Sequence, residues 1–263
     1  MGVINITPNS FSDGGQFNSQ ETFEKQVQKL ASQCHILDIG AESTAPMNKA
    51  ITYEEEISRF FALDLFTLTK LPIISIDTYR PETFLKLYDY FQAQNYDGEL
   101  WWNDVSGIFD DSVHEILKLK NTKYIFSHNR VPNREETNQH MNYVNQKDIL
   151  SEFQESIKQI PQELMPKIIL DPCFGFAKSR TQNHQLMDEL PKLINKINLP
   201  WLIGISRKSF LRFPEGAKLT EPSVMLQAQT LESMYYQYLL QECSQAELIL
   251  RMHLPELILN SIS

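Results

Sequence analysis

Apolar residues in this chain come in short runs that stop at polar groups. Examples are Ile36-Leu37-Asp38-Ile39-Gly40, Ile73-Ile74-Ser75-Ile76-Asp77, Leu100-Trp101-Trp102-Asn103-Asp104 and Leu202-Ile203-Gly204-Ile205-Ser206. The run Lys167-Ile168-Ile169-Leu170 ends in Asp171-Pro172-Cys173-Phe174-Gly175-Phe176-Ala177-Lys178. A run that is apolar almost throughout and ends in a charge reads as a buried parallel strand delivering a polar group to the mouth of a barrel. Between the runs the apolar spacing changes to that of helices. Phe23, Val27, Leu30 and Ala31 form one stripe, and Ile57, Phe60, Phe61 and Leu65 another.

The pattern predicts strands over Gly2–Ile6, His35–Ile39, Pro72–Ile76, Leu100–Asp104, Lys123–Ser127, Lys167–Leu170, Pro200–Ile205 and Glu247–Leu250. It predicts helices over Ser19–Gln33, Tyr53–Lys70, Pro81–Gln92, Asp110–Leu119, Gln146–Gln159, Thr181–Asn195, Glu221–Gln241 and Pro255–Ile262. Thr7 to Asn18, Gly40 to Ala50 and the polar stretch from Val131 to Asn145 read as loops. Strands alternating with helices imply parallel βα units, and eight such units imply a closed barrel over an open sheet. The length of 263 residues suits a TIM (β/α)8 barrel, which takes about 250. No linker or low-complexity tract divides the chain, so residues 1–263 read as a single domain. A start inside a strand fits a piece cut from a longer, multidomain protein.

Charge narrows the partners. A net charge of −9 argues against a broad nucleic-acid backbone while leaving room for a local cationic pocket. Cys34, Cys173 and Cys243 make neither a zinc spacing nor a disulfide framework, which points to a reducing cytoplasm. No apolar run is long enough to span a membrane.

In such barrels the chemistry sits at the C-terminal ends of the strands. The polar residues there are Asn5, Asp38, Asp77, Asn103, Asp104, His128, Arg130, Asp171, Ser206, Arg207, Lys208, Arg251 and His253. They include no Cys–His pair, serine elbow, P-loop or dinucleotide glycine motif. Carboxylates and an amide beside a lysine and an Arg-x-His suit a hydrogen-bonding heterocycle together with an anion. Asp38 and Asp104 read as residues that orient loops or neighbouring side chains. Cys173 reads as a small packing residue, and Trp101 and Trp102 as core.

The stretches Met1 to Gly15, Asp38-Ile39-Gly40-Ala41-Glu42-Ser43-Thr44, Ser75-Ile76-Asp77-Thr78, Asn103-Asp104-Val105-Ser106-Gly107, Asp171-Pro172 to Gly175-Phe176, Ser206-Arg207-Lys208-Ser209-Phe210 and Arg251-Met252-His253 occur in one order along the chain. Together they resemble the dihydropteroate synthase family over essentially the whole length. The resemblance implies condensation of 6-hydroxymethyl-7,8-dihydropterin diphosphate with p-aminobenzoate, in folate synthesis. It implies that Asp77, Asn103, Asp171 and Lys208 meet the pterin, with Asp77, Asp171 and Lys208 catalytic and Phe176 part of the pocket. Two carboxylates under the ring would stabilise the cation that develops as diphosphate leaves. Arg251 and His253 would serve the leaving group together with Mg2+ held by Asn5. Thr44 and Ser206 would contact the diphosphate and the aminobenzoate carboxylate. Loops around Phe11 to Gly15 and Thr44 to Met47 would close over the site. A homodimer and fusion to a pyrophosphokinase are further implications.

Several positions depart from the family's pattern. Ala45-Pro46-Met47 replaces an Arg-Pro-Gly, Asn9 an aspartate, Cys173 a glycine, and Leu254 an acidic residue; the fifth strand ends His128-Asn129-Arg130-Val131. Ala45 and Asn9 favour an alternative, a catalytically weak paralogue that binds pterin without condensing it. A methyltetrahydrofolate–corrinoid methyltransferase would share the carboxylate floor, but Ser206-Arg207-Lys208 and Arg251-x-His253 point to a diphosphate.

Overall fold

The computed structural model describes residues 1–6, 19–43, 49–129, 131, 133–139, 149–218 and 220–256. Its strands are β1 (Gly2–Asn5), β2 (Ile36–Gly40), β3 (Ile73–Asp77), β4 (Glu99–Asp104), β5 (Thr122–Ser127), β6 (Ile168–Asp171), β7 (Trp201–Ile203) and β8 (Leu248–Leu250). All eight are parallel neighbours in chain order. The sheet closes where Gly2 bridges Met252. Val3 N–H donates to Met252 O at 3.2 Å, and Met252 N–H to Met1 O at 2.9 Å. The α-helices are α1 (Ser19–Ala31), α2 (Tyr53–Phe61), α3 (Pro81–Ala93), α4 (Asp111–Leu117), α5 (Ile149–Ile157), α6 (Arg180–Ile194) and α7 (Pro222–Glu242). The result is the TIM barrel that the alternation predicts.

Alternation along each strand sorts the side chains into two environments. One set of positions, Met1, Ile36, Trp101, Ile125, Ile169, Leu202 and Ile249, forms a cluster that plugs the barrel interior. The other parity carries Ile4, Leu37, Ile39, Ile74, Ile76, Trp102, Tyr124, Phe126, Leu170 and Trp201, which pack into the larger core shared with the helices. Burying each such large side chain is worth about 1.5–3 kcal/mol. Two residues further along the inward parity come Asp38, Asn103, Ser127, Asp171 and Arg251. Polar groups therefore stand directly above an apolar plug.

Several elements differ from the sequence pattern. The helix expected over Tyr53–Lys70 is two pieces, α2 and a 3-10 helix over Leu65–Lys70. Asp64 is extended there and its carboxylate accepts from Phe66 N–H at 2.9 Å, which starts a new turn. Leu65 and Leu68, three apart and both buried, suit that tighter helix, while Phe61 is left exposed. The expected helix over Gln146–Gln159 is described from Ile149 to Ile157, and residues 146–148 lie outside the described residues. Most of the expected final helix, residues 257–262, also lies outside them. The segment from Val131 to Asn145, expected to be a loop, contains a 3-10 helix over Arg134–Gln139.

Arg134 explains why that segment is anchored. Asp104 is fully buried. It accepts from Tyr124 Oη and Ser106 N–H, both at 2.8 Å, and pairs with Arg134 Nη1. The guanidinium also lies 4.9 Å from the Trp102 ring centre and donates to Asp110. Asp104 thus orients a neighbouring loop and stays out of the pocket. Replacing Arg134 by Met leaves a buried carboxylate without its cation, so urea unfolding should show a loss of about 3–5 kcal/mol. An unchanged midpoint would remove the pair from the fold's supports.

Candidate active site

Arg251 follows β8 and reaches back across the barrel mouth. Its Nε donates to Asp38 Oδ2 and its Nη2 to Asp77 Oδ2, each at 2.7 Å. Asp38 is fully buried in β2 and also accepts from Ser75 Oγ at 2.6 Å. Asn103 Nδ2 donates to the two Asp38 oxygens at 3.1 and 3.2 Å. That orientation leaves the Asn103 Oδ1 acceptor as the group it can offer the cavity. Asp38 therefore sets the positions of Arg251 and Asn103, and through Arg251 that of Asp77.

One cavity is lined by Asp77, Asn103, Val105, Ser127, Asp171, Cys173, Phe174, Phe176, Gly204, Lys208 and Arg251. It shares Asp77, Phe176, Gly204, Lys208 and Arg251 with a more open cleft that adds Asn5, Glu42, Ser43, Ser206, Arg207 and His253. Asn103 and Asp171 line only the inner part, Asn5, Glu42 and Arg207 only the outer, and Asp77, Lys208 and Arg251 line both. Thr44 lies outside the described residues, as do Arg130, Asn9, Ala45 and the two loops expected to close. The other expected site residues, Asn5, Asp77, Asn103, Asp171, Phe176, Ser206, Lys208, Arg251 and His253, line one or both parts.

Loop geometry places the remaining groups. Asp171 Oδ1 accepts from Cys173 N–H at 2.7 Å, an Asx-type turn that aims the carboxylate inward. Gly175 has φ +81°, and a Cβ there would stand 3.1 Å from Lys208 Cδ. Glycine therefore makes room for Lys208, whose Nζ lies 4.1 Å above the Phe176 ring. Cys173, Ala177 and Arg207 also have positive φ, of 53°, 49° and 61°. The left-handed backbone at Cys173 accounts for the glycine in the family's pattern, and the cysteine here carries strain. Cys173 packs with Tyr79 and Val105, and burial pushes its thiol up to about 12. Lys178 Nζ spends itself on the carbonyls of His128, Cys173 and Phe176, pinning the loop.

Burial dominates the electrostatics of the site. Burial, only partly offset by Arg251, pushes Asp77 up to about 7. Burial also raises Asp171, against the Cys173 N–H and Lys208. Lys208 is lowered to about 8 by burial. Burial opposes the Arg251 charge, but Asp38 and Asp77 hold it on. His253 is lowered to about 3 by burial and by the positive charges of Arg251, Arg207 and Lys208. The imidazole expected to be a cation is therefore neutral in this structure. Its Nδ1 lies 3.2 Å from Ser206 Oγ, which accepts from His253 N–H at 3.3 Å. Arg251, expected to be spent on the leaving group, is already engaged with two carboxylates.

His128 stands apart from the cavity. It stacks against Phe153 at 4.9 Å and lies 3.7 Å from Glu152. A second buried network was not anticipated: Arg80 Nη1 donates to Glu42 at 2.6 Å and to Glu56 at 3.0 Å, and Nη2 to Ile51 O at 2.5 Å. It ties together residues on either side of 44–48. Strand parity was the available signal for Asp38, since it shares the inward side with Gly40; no comparable local signal marks Arg80.

Residues 1–237 match the family model described as pterin binding enzyme. The chain is 34% identical over 230 residues to a folate synthesis bifunctional protein of Arabidopsis thaliana, covering 80% of this chain and 46% of that protein. It is 34% identical over 220 residues to a dihydropteroate synthase of a Synechocystis species, covering 80% and 72%. Its fold matches a Xanthomonas albilineans dihydropteroate synthase solved with 4-aminobenzoic acid, with a TM-score of 0.71, 26% identity and coverage of 99% and 89%. The chain spans less than half the length of the bifunctional relatives, 46%, 43% and 40%.

The raised Asp77 makes a pH prediction. Between its ordinary value of 3.8 and about 7, the folded chain holds a proton that the unfolded chain has released. Stability contributed by this group is full below that window and is lost as pH rises through it. Asp77→Asn lacks the dependence, so its stability relative to wild type should improve from about pH 4 to about pH 7. Urea unfolding at both pH values measures the gap, and a gap that moves the other way would contradict the assignment.

Proposed function

The chain belongs to the pterin binding enzyme family, and from that premise we propose that it is a dihydropteroate synthase. It would join 6-hydroxymethyl-7,8-dihydropterin diphosphate to p-aminobenzoate in folate synthesis. The observation that carries this reading is the convergence of Asp77, Asn103, Asp171 and Lys208 on one cavity that opens into a cleft where Arg207 and Arg251 stand.

The chemistry follows from those two parts. The pterin's edge of N–H donors meets Asp77, Asp171 and the Asn103 carbonyl, and Lys208 donates to a ring acceptor. N–H donors favour the ionised carboxylates, offsetting the burial that raises them. The bond from the pterin methylene carbon to the diphosphate oxygen breaks, and diphosphate keeps the electron pair. Positive charge develops on the pterin directly over Asp171 and Asp77, where fixed carboxylates stabilise it. The arylamine nitrogen then bonds to the methylene carbon and loses a proton. Diphosphate lies toward Arg251 and His253, whose imidazole gains basicity beside an anion. Thr44 is assigned to the diphosphate and Ser206 to the aminobenzoate carboxylate by resemblance alone.

For the metal, Asn5 offers an amide oxygen in the same cleft as Asp77 and Ser43. Such an oxygen set fits Mg2+, which binds through few protein groups plus substrate phosphates and water. When bound it would offset charge on the diphosphate. The bifunctional relatives support a fused pyrophosphokinase partner. Free Cys34, Cys173 and Cys243 support a reducing compartment such as the cytoplasm; among the described residues no helix is long and apolar enough to cross a membrane. Exposed Met225, Leu226, Met234 and Tyr238 on α7 support pairing of two copies. A monomer mass in sedimentation would contradict that pairing.

Purified protein mixed with both substrates and Mg2+ should yield dihydropteroate, with diphosphate released only when the pterin diphosphate is present. Asp171→Asn should lower turnover by about a hundredfold or more while the circular dichroism spectrum is unchanged. Normal turnover in that variant would remove Asp171 from the mechanism, and pterin binding without product from wild type would point to a non-condensing paralogue.

A further inference from the structure

Ser127 ends β5 and is 1% exposed. It follows Ile125 on the inward parity and lines the inner cavity. Its hydroxyl has no hydrogen-bond partner among the described residues. The buried serines Ser75, Ser106 and Ser206 each use theirs: Ser75 Oγ donates to Asp38, Ser106 Oγ accepts from Ile108 N–H, and Ser206 Oγ accepts from His253 N–H. A serine at a strand end often accepts from the next turn's N–H groups, but here other groups do so. His128 N–H donates to Asp171 O at 2.8 Å and Asn129 N–H to Ser127 O at 3.0 Å. The Cys173 thiol is near enough to feel the hydroxyl, but a thiol is a weak partner and no hydrogen bond joins the two. Burying a hydroxyl without a partner is costly, so one placed on a cavity wall points to a group that enters the cavity.

Strand order indicates which group. Ser127 is in register with Asp171 of β6, and Asn103 of β4 is in register with Ile125, two residues before Ser127. Around the mouth the polar groups therefore run Lys208 after β7, Asp171 on β6, Ser127 on β5, Asn103 on β4 and Asp77 on β3. Around a dihydropterin the order is carbonyl oxygen, ring N–H, amino group, and then the N–H of the second ring. With Lys208 on the carbonyl oxygen, the Asp171 carboxylate takes the ring N–H and one amino N–H side by side. The second amino N–H then points away from Lys208 and toward β5, where the Ser127 hydroxyl has a lone pair for it. Asn103 and Asp77 lie beyond, for the N–H of the second ring.

We infer that Ser127 is a specificity-determining residue whose hydroxyl accepts an N–H of the pterin amino group. This rests on the reading of the inner cavity as the pterin's place, and it adds a residue to the set that reads the ring's edge. The hydroxyl serves the bound ring and not the fold, because the fold gives it no hydrogen bond of its own. A ring without the amino group leaves Ser127 as it is in the free protein, so the residue discriminates against such a ring.

The test titrates wild type and Ser127→Ala calorimetrically with 6-hydroxymethylpterin and with its analogue lacking the 2-amino group. Alanine should weaken pterin binding about tenfold, as the loss of one buried hydrogen bond does, and should leave the analogue within about twofold of wild type. Urea unfolding of the two proteins without ligand adds a readout that a structural role would move the other way. The alanine midpoint should equal or exceed that of wild type, because a buried hydroxyl without a partner is removed. Equal losses with the two ligands, no loss with either, or a midpoint below wild type would overturn the inference. Failure of wild type to bind pterin would overturn the pterin reading and the inference with it. An indifferent Ser127→Ala, beside a wild type that binds pterin, would overturn the inference alone.

Discussion

The arrangement at the barrel mouth depends on one cation shared by two carboxylates. Arg251 holds Asp38 with Nε and Asp77 with Nη2. Each group would be costly to bury alone. Together, with Ser75 and Asn103 filling the other positions around Asp38, they form a connected polar layer on an apolar plug. Such a network adds little net stability over an apolar core. Its value lies in fixed directions: Asp77 faces inward, and the Asn103 amide is turned so that its oxygen is left to the cavity. Closure of the sheet between β8 and β1 is what brings Arg251 within reach.

The rest of the site keeps charged groups out of water and away from their ordinary ranges. Asp77 and Asp171 are held above their ordinary range by burial, and Lys208 below its own. In all three burial is the largest cause. A flat heterocycle with N–H donors on one edge and an acceptor on another would favour the charged form of each. The strained backbone at Cys173, Ala177 and Arg207 belongs to the same economy, because left-handed turns aim Asp171 and Lys208. Buried Lys178 braces the turn after Asp171 from behind.

Much of this was legible in the residues. Apolar runs ending in Asp77, Asn103 and Asp171 predict inward polar groups at strand ends, and the period of two places them on one side. The helix pattern over Tyr53–Lys70 misled because Asp64 looks like any polar helix residue until its carboxylate caps a new turn. Asp38 reads in sequence as an orienting residue, and it is one, but its main partner comes from 213 residues away and leaves no local trace. For His253 the sequence shows the imidazole but neither the burial nor the three positive neighbours that disfavour its charge. Pairings made by closure, such as Arg134 with Asp104 and Arg80 with Glu42, have no local trace in the sequence.

The central claim is that this layer recognises the N–H edge of a pterin. Calorimetric titration with 6-hydroxymethylpterin and with its analogue lacking the 2-amino group tests it most directly. The account predicts that the pterin binds and that the analogue loses about a hundredfold or more, because buried acceptors are left unpaired. Equal affinities for the two would contradict it.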